Sequence, residues 1–256
     1  MRTRLPGNVH FSALKEINKS PAHYRHFSEK GRDDKPFLRS GRLLHSLVFE
    51  ETAAFAVYDG VRRGKDWEAF KADHADVGTI VNVAEHAEAS AMAAAVRARP
   101  DAVRLLEGDR ERYLEWTWLG RPCAGTVDVI GADWVTELKT CRTAKPDWFQ
   151  RDALRFDYHT QLAWYRNGVA QSLRVVPQRA HIVAVESSPP YPVVVWQLTD
   201  RALDLGERRA RLWLEQLMAC EGSDSWPGYC ESMIDFDIPD PDESFSLNIG
   251  GEEVAF

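Results

Sequence analysis

The sequence predicts a single mixed α/β domain, and three observations carry that expectation. Three strand-like runs follow one another between residues 112 and 140, joined by short connections that contain Gly or Asp. Helical periodicities precede and follow them. The chain has 256 residues, of which 44% are hydrophobic, so one large core can be filled without a second domain. The expected organisation is a mainly helical part over residues 1–110, a core over 111–220 and an irregular acidic tail over 221–256.

The elements follow from local pattern. Ser12 can cap a helix from about Ala13 to Asn18, stopped by Ser20-Pro21, with a further helical turn through His23 to Phe27. Asp33 to Pro36 is a polar break. From Phe37 to about Phe49, Leu38, Leu43, Leu44, Leu47 and Val48 recur at helical spacing, with His45 among them. Phe55–Tyr58 reads as a short strand, Asp59–Lys65 as a loop, and Trp67–Ala72 as a helix. The Ala-rich stretch from Val83 to Glu107 reads as two helices broken around Pro100.

Arg112–Leu119, Arg121–Ile130 and Trp134–Thr140 then form an antiparallel meander. Pro146 suits the first turn of a helix that, with a break near Phe156-Asp157, runs to about Val169. Ala180–Glu186 and Val193–Leu198 are further strands, Arg201–Cys220 is a long amphipathic helix, and the rest is rich in Pro and Asp. There is no internal repeat.

Composition narrows the functions. The start of the chain is polar and no apolar run is long enough to span a bilayer, so the expectation is a cytoplasmic protein with no membrane partner. Four scattered cysteines (Cys123, Cys141, Cys220, Cys230) with no Cys-x-x-Cys pair argue against a disulfide framework. A Gly-x-x-x-x-Gly-Lys-Ser/Thr loop and a Gly-x-Ser-x-Gly elbow are both absent, which removes the nucleotide motors and serine hydrolases that depend on them. The net charge of −7 disfavours a protein that coats nucleic acid over a broad basic surface, but the charge is uneven. Asp235, Asp237, Asp240, Asp242, Glu243, Glu252 and Glu253 crowd the tail, while Arg39/Arg42 and Arg62/Arg63/Lys65 cluster in the first third.

The chemistry concentrates in Gly125–Ile130 and Val135–Thr140. A hairpin centred between Ala132 and Asp133 sets Asp128 directly opposite Glu137 on one sheet face, with Lys139 two residues further along that face. Two carboxylates so close repel unless a cation lies between them, so the arrangement is either costly or a divalent-cation site. A lysine beside such a cation suits hydrolysis. On spacing alone, a solvated hairpin with an ion pair explains the same residues.

Asp128, eight intervening residues, then Glu137-Leu138-Lys139 resembles the pattern of the PD-(D/E)xK nuclease superfamily. Gly41-Arg42-Leu43-Leu44-His45 resembles the Gly-x-x-x-His segment that RecB-like and RecE-like nucleases place ahead of their core. Gln161 and Tyr165, at i and i+4 of the helix after the hairpin, resemble the Gln-x-x-x-Tyr pair of the same families. Ser12-Ala13-Leu14 with Ser20-Pro21-Ala22-His23-Tyr24, the loop Asp59–Trp67 and, more weakly, Trp226-Pro227-Gly228-Tyr229 resemble segments of phage and prophage RecE-like exonucleases. Those proteins are related to exodeoxyribonuclease VIII and, more distantly, to the phage lambda exonuclease.

The resemblance implies a restriction-endonuclease-like core, a central mixed sheet flanked by helices, with an N-terminal helical region. It implies a metal-dependent deoxyribonuclease, a 5′-to-3′ exonuclease on linear duplex DNA in phage-type recombination, in a bacterial host cell. A non-catalytic DNA-binding module on the same fold, or an endonuclease on the same core, are the alternatives. The implied catalytic residues are Asp128, Glu137, Lys139, His45, Gln161 and Tyr165. The metal, Mg²⁺ with Mn²⁺ as the alternative, would be held by His45, Asp128, Glu137, the Leu138 carbonyl and Glu111, although Glu115 has the same strand parity as Glu111. Arg62, Arg63, Lys65 and Ser12 would contact DNA. Clustered cysteines are missing, so no iron–sulfur cluster is expected. A homo-oligomeric ring and a single-strand annealing partner complete the expectation.

Overall fold

The computed structural model describes residues 7–31, 36–49, 55–77, 79–230, 232–235, 246–249 and 252–255. In chain order the elements begin with β1 (Val9–His10), α1 (Phe11–Leu14), a 3₁₀ turn (Lys15–Asn18), α2 (Pro21–Lys30) and α3 (Pro36–Phe49). There follow β2 (Phe55–Tyr58), α4 (Lys65–Asp73), β3 (Thr79–Asn82), α5 (Val83–Arg97) and α6 (Pro100–Leu105). The centre holds β4 (Asp109–Trp118), β5 (Arg121–Ile130), β6 (Trp134–Cys141), α7 (Pro146–Arg155) and α8 (Tyr158–Leu173). Next come β7 (Arg179–Glu186), β8 (Val193–Gln197) and α9 (Asp200–Ser223), then β9 (Ser246–Ile249) and β10 (Glu252–Ala255).

The main sheet is mixed. β4, β5 and β6 form the expected antiparallel meander, β7 joins β6 in parallel and β8 closes the edge antiparallel to β7. Each face carries its own apolar layer. On one, Val135, Ile182 and Ala184 pack with Phe149, Leu162, Trp164, Leu203 and Leu214 from α7, α8 and α9. On the other, Leu138, Val183 and Val185 pack with Leu43 and Leu44 of α3 and Met92 and Val96 of α5. The alternation of strand side chains therefore sends β6 positions 135, 137 and 139 towards α8 and position 138 towards α3. This is the three-layer α/β arrangement the sequence predicts.

Several elements differ from their sequence expectation for identifiable reasons. Ser12 is not a cap, because the helix starts at Phe11, two residues before the expected Ala13, with His10 in extended conformation before it. β1 sets that start by pairing in parallel with β5, Val9 to Cys123 and His10 to Ala124. Ser20 is the cap instead, accepting the His23 N–H at 3.4 Å, and α2 extends to Lys30 rather than ending at Phe27. The strand β3 was not expected and pairs in parallel with β2 from Phe55–Thr79 to Tyr58–Asn82. Asn82 then caps α5 in a reciprocal box with Glu85. The tail is not uniformly irregular, since β9 and β10 pair antiparallel. The break expected at Asp33–Pro36 lies, apart from Pro36, outside the described residues, as do Asp237, Asp240, Asp242 and Glu243.

Two close approaches lock the layers. At Gly206 of α9 an added Cβ would stand 2.4 Å from the His159 carbonyl oxygen, so only glycine lets α9 lie this near α8. Trp226 stacks on Tyr24 with ring centroids 6.0 Å apart, and the Pro227 carbonyl accepts the Ala22 N–H at 3.1 Å, so the segment after α9 returns to pin α2.

Candidate metal centre and active site

The site arises where the sheet opens. The β5–β6 ladder pairs Ile130 with Val135 and Val129 with Thr136, centred between Ala132 and Asp133 as the sequence implies, and then stops. One step further, the Asp128 carboxylate takes the Leu138 N–H at 2.8 Å in place of a backbone carbonyl. On the far edge of β5 the β4 register matches Arg110 to Val129 and Arg112 to Val127, which leaves Glu111 opposite Asp128. Glu111 has φ +49°, a left-handed conformation rare for a side-chain-bearing residue, costing about 1–3 kcal/mol unless its surroundings hold it. Glu111 and Asp128 thus stand at one level on neighbouring strands, and Glu137 follows the last β5–β6 pair on the third.

His45 enters from α3. Gly41, one turn earlier, places that helix against β6, its Cβ position 3.9 Å from Thr140 Oγ1. The His45 imidazole then meets Glu111 Oε1 (Nδ1, 3.0 Å), the Leu138 carbonyl (Nε2, 3.0 Å) and Asp128 Oδ2 (Nε2, 3.7 Å). One ligand atom each from His45, Glu111 and Asp128 lie within 4.8 Å of one another. Glu115, the same-parity alternative to Glu111, is engaged elsewhere, by Asn8 at 2.6 Å and Tyr113 at 3.1 Å.

Glu137 and Lys139 face the opposite helical layer. Lys139 Nζ donates to Glu137 Oε2 at 2.5 Å, and Gln161 Nε2 donates to the same oxygen at 3.1 Å and to the Tyr165 hydroxyl at 3.2 Å. The predicted i, i+4 pair on α8 therefore does line the carboxylate. Gly125 makes room for it, since an added Cβ would sit 2.6 Å from Tyr165 Cε1. Sequence reasoning missed Tyr158, whose ring lies 5.4 Å from Lys139 Nζ in a cation–π contact. The sign was its position three residues before Gln161, on the same helical face.

The electrostatics are those of a crowded anionic site in poor contact with water. Burial lowers the affinity of the His45 imidazole for its proton, but Asp128 and the hydrogen bond and charge of Glu111 outweigh it and raise the pKa to about 9. A pKa raised in this way favours the imidazolium at neutral pH, the form in which both ring nitrogens donate. Burial, then the Asp128 charge, raises Glu137 to about 7 even though Lys139 pulls the other way. Burial also raises Asp128. Lys139 is buried, which disfavours its charge, yet Glu137 and Asp128 reverse that and hold it above the usual lysine range. The tight Lys139–Glu137 pair thus raises the lysine without lowering the glutamate, because burial dominates the glutamate.

The donor set fits a hard divalent cation. Carboxylates from three strands, a backbone carbonyl and an imidazole are oxygen and nitrogen ligands of the right kind. Glu137 Oε1 is buried with no hydrogen-bond partner, an orphan acceptor that a cation would satisfy.

The basic residues form a separate feature. Arg62 is held by Glu85 Oε2 at 2.6 Å and the Ile80 carbonyl at 3.1 Å, so part of its charge is spent within the fold. It lines a cavity of about 330 Å³ with Arg39 and Arg42 of α3 and Trp67 of α4, uniting the two basic clusters of the sequence. Arg63 and Lys65 are exposed beside it. Ser12, half-buried on α1, makes no contact with the carboxylate cluster that the structure records.

Comparison with known proteins agrees with this fold. Residues 10–235 match the model of a family described as a PDDEXK-like domain of unknown function, DUF3799. The chain belongs to that family. As a PDDEXK-like domain it has the nuclease-superfamily fold. It is similar in fold to the crystal structure of a proposed exonuclease from Eubacterium rectale, with a TM-score of 0.65, 13% identity and 90% of each chain covered. A second solved structure, of SSO0001, aligns over 70% of this chain and 86% of its own at 12% identity, with a TM-score of 0.28 that carries no weight. No curated protein matches the sequence. Among the described residues no helix is long and apolar enough to cross a membrane.

Proposed function

We propose that this PDDEXK-like domain is a divalent-cation-dependent deoxyribonuclease that degrades linear duplex DNA from its 5′ end. The observation that carries the hydrolytic reading is the convergence of His45, Glu111 and Asp128 on one side of the β5–β6 opening with the Glu137–Lys139 pair on the other. The exonucleolytic mode, the 5′ polarity and the duplex preference rest on the resemblance to RecE-like proteins. So does action in the cytoplasm of a bacterial host.

His45, Glu111, Asp128, Glu137 and the Leu138 carbonyl would hold Mg²⁺ or Mn²⁺. Such an ion lowers the pKa of bound water and neutralises phosphate charge. The protein's own groups do the positioning. Lys139 stays an ammonium in this setting, so it orients the attacking water and stabilises charge developing on the phosphate oxygens. Gln161 donates to both Glu137 and the Tyr165 hydroxyl, and that hydroxyl, its pKa raised by burial, keeps a proton it can offer to a substrate oxygen. The Arg39/Arg42/Arg62 cavity, with exposed Arg63 and Lys65, supplies positive charge for the phosphate backbone.

A homo-oligomeric ring working with a single-strand annealing protein fits the charge distribution, since a basic lumen can coexist with an acidic exterior. Asp128→Asn tests the reading, because it keeps the shape and removes the charge central to both halves of the site. It should abolish loss of linear duplex in Mg²⁺ and weaken metal binding together. Wild-type cleavage by this variant would refute the assignment.

A further inference from the structure

One surface beside the site has no role in the mechanism above. Helix α7 is anchored by Phe149, which is buried and stacked on Trp196 with centroids 5.3 Å apart. Trp148, Arg151 and Arg155, spaced i, i+3 and i+7, fall on one stripe of the helix. Trp148 is 49% exposed, and Phe156, which ends the helix, is 42% exposed. Singly exposed apolar side chains are ordinary, but two half-exposed rings on one helix, each beside a guanidinium group, make a surface that a planar ligand can stack on.

The stripe alternates cation and ring. The Arg151 guanidinium lies 6.0 Å from the Trp148 ring and that of Arg155 lies 5.3 Å from Phe156. Phe156 is 5.9 Å from Tyr158, whose ring carries Lys139 at 5.4 Å. From Arg155 through Phe156 and Tyr158 the contacts run without a gap to Lys139, and the Trp148–Arg151 pair lies one turn earlier on the helix. Asp147, four residues before Arg151, and the half-buried Asp152, three before Arg155 and near Tyr158, are the acidic residues of the helix, and neither forms an ion pair with Arg151 or Arg155 that the structure records.

We infer that α7 is a docking surface for an unpaired DNA strand next to the active site, an inference that rests on the reading of the site as a nuclease. Exposed ring faces accept bases that are not already stacked in a duplex, and interleaved guanidinium groups pair with the phosphates between them. Rings interleaved with guanidinium groups match the alternating bases and phosphates of a strand, and the contacts that lead to Lys139 would bring that strand to the site.

The test is fluorescence anisotropy with a labelled oligothymidylate and a blunt duplex of equal length, in EDTA so that nothing is cut. Trp148→Ala and Phe156→Ala should each weaken oligothymidylate binding about five-fold or more, the lower range for one stacked base. Duplex binding should change less than about two-fold, because it relies on phosphate contacts. Trp148→Tyr should restore binding, and Leu154→Ala, exposed on the same helix, should have no effect. The inference is overturned if wild-type protein does not bind oligothymidylate, if both ligands weaken equally, or if the variants alter only the mass in solution. Cleavage is measured separately in Mg²⁺. A protein that cuts DNA while its strand binding ignores these rings loses this inference alone.

Discussion

Loading the metal centre should displace a proton from His45, and the size of that exchange follows from the structure. The imidazole, clasped by Glu111 and Asp128, has its pKa raised to about 9. An imidazole that ligates a metal must first lose its proton, so at pH 7 apparent affinity is discounted by about two pH units, roughly 100-fold or about 3 kcal/mol. Between pH 7.5 and 9, Mn²⁺ affinity measured by titration calorimetry should rise towards ten-fold per unit and then level off. Repeating the titration in buffers of different ionisation enthalpy should show about one proton released at pH 7.5. In His45→Asn the slope and the proton should both vanish. The sign in the metal-free protein is also fixed. A raised imidazole pKa contributes stability that is full below about 6.5 and lost as pH rises through about 9, so wild type should lose its margin over His45→Asn across that window. Flat affinity from pH 7.5 to 9, with no proton released, would refute this account of His45.

Other outcomes follow from single contacts. Lys139→Ala should lower the cleavage rate by about 10²–10³ or more while calorimetry still detects metal binding. Gly125→Ala, whose methyl meets Tyr165 Cε1, should reduce kcat in single-turnover assays and leave metal affinity near wild type. Gly206→Ala forces α9 off the His159 carbonyl and should cost about 1–3 kcal/mol in denaturant unfolding. Buried His181 has its pKa lowered, chiefly by burial, so the unfolded chain takes up its proton first. The stability difference between wild type and His181→Gln should therefore shift against wild type as pH falls below about 6.5, measured by unfolding at pH 7.5 and 5.5.

Much of the site was legible because its residues are set by short-range register. Gly131–Trp134 fixes the turn, and the turn fixes the β5–β6 register through Val129–Thr136, one step short of Asp128 and Glu137. Gln161 and Tyr165 needed only helical periodicity. His45 and Glu111 could be placed by resemblance but not by local pattern, because His45 reaches Leu138 across 93 residues and Glu111 depends on a backbone angle no propensity predicts. The opening of the ladder beyond Val129 is likewise a tertiary effect.

The fold was misread where long-range contacts override local signals. Ser12 is a good capping residue, but pairing of Val9 and His10 with β5 starts the helix before it. β3 is four residues long and is strand only because β2 lies beside it. The tail hairpin did carry a signal, two four-residue runs separated by Gly250-Gly251, hidden by the acidic composition around it. The exposed rings of α7 are invisible to a periodicity count, which expects Trp and Phe inside.

The most direct test of the central claim compares linear with covalently closed circular duplex DNA, each in Mg²⁺ and in EDTA, for wild type and Lys139→Ala. The account predicts that only wild type in Mg²⁺ acts, and that it consumes the linear DNA and leaves the circles intact. Cutting of circles would contradict the exonucleolytic mode, and survival of both substrates in Mg²⁺ and in Mn²⁺ would contradict catalysis itself.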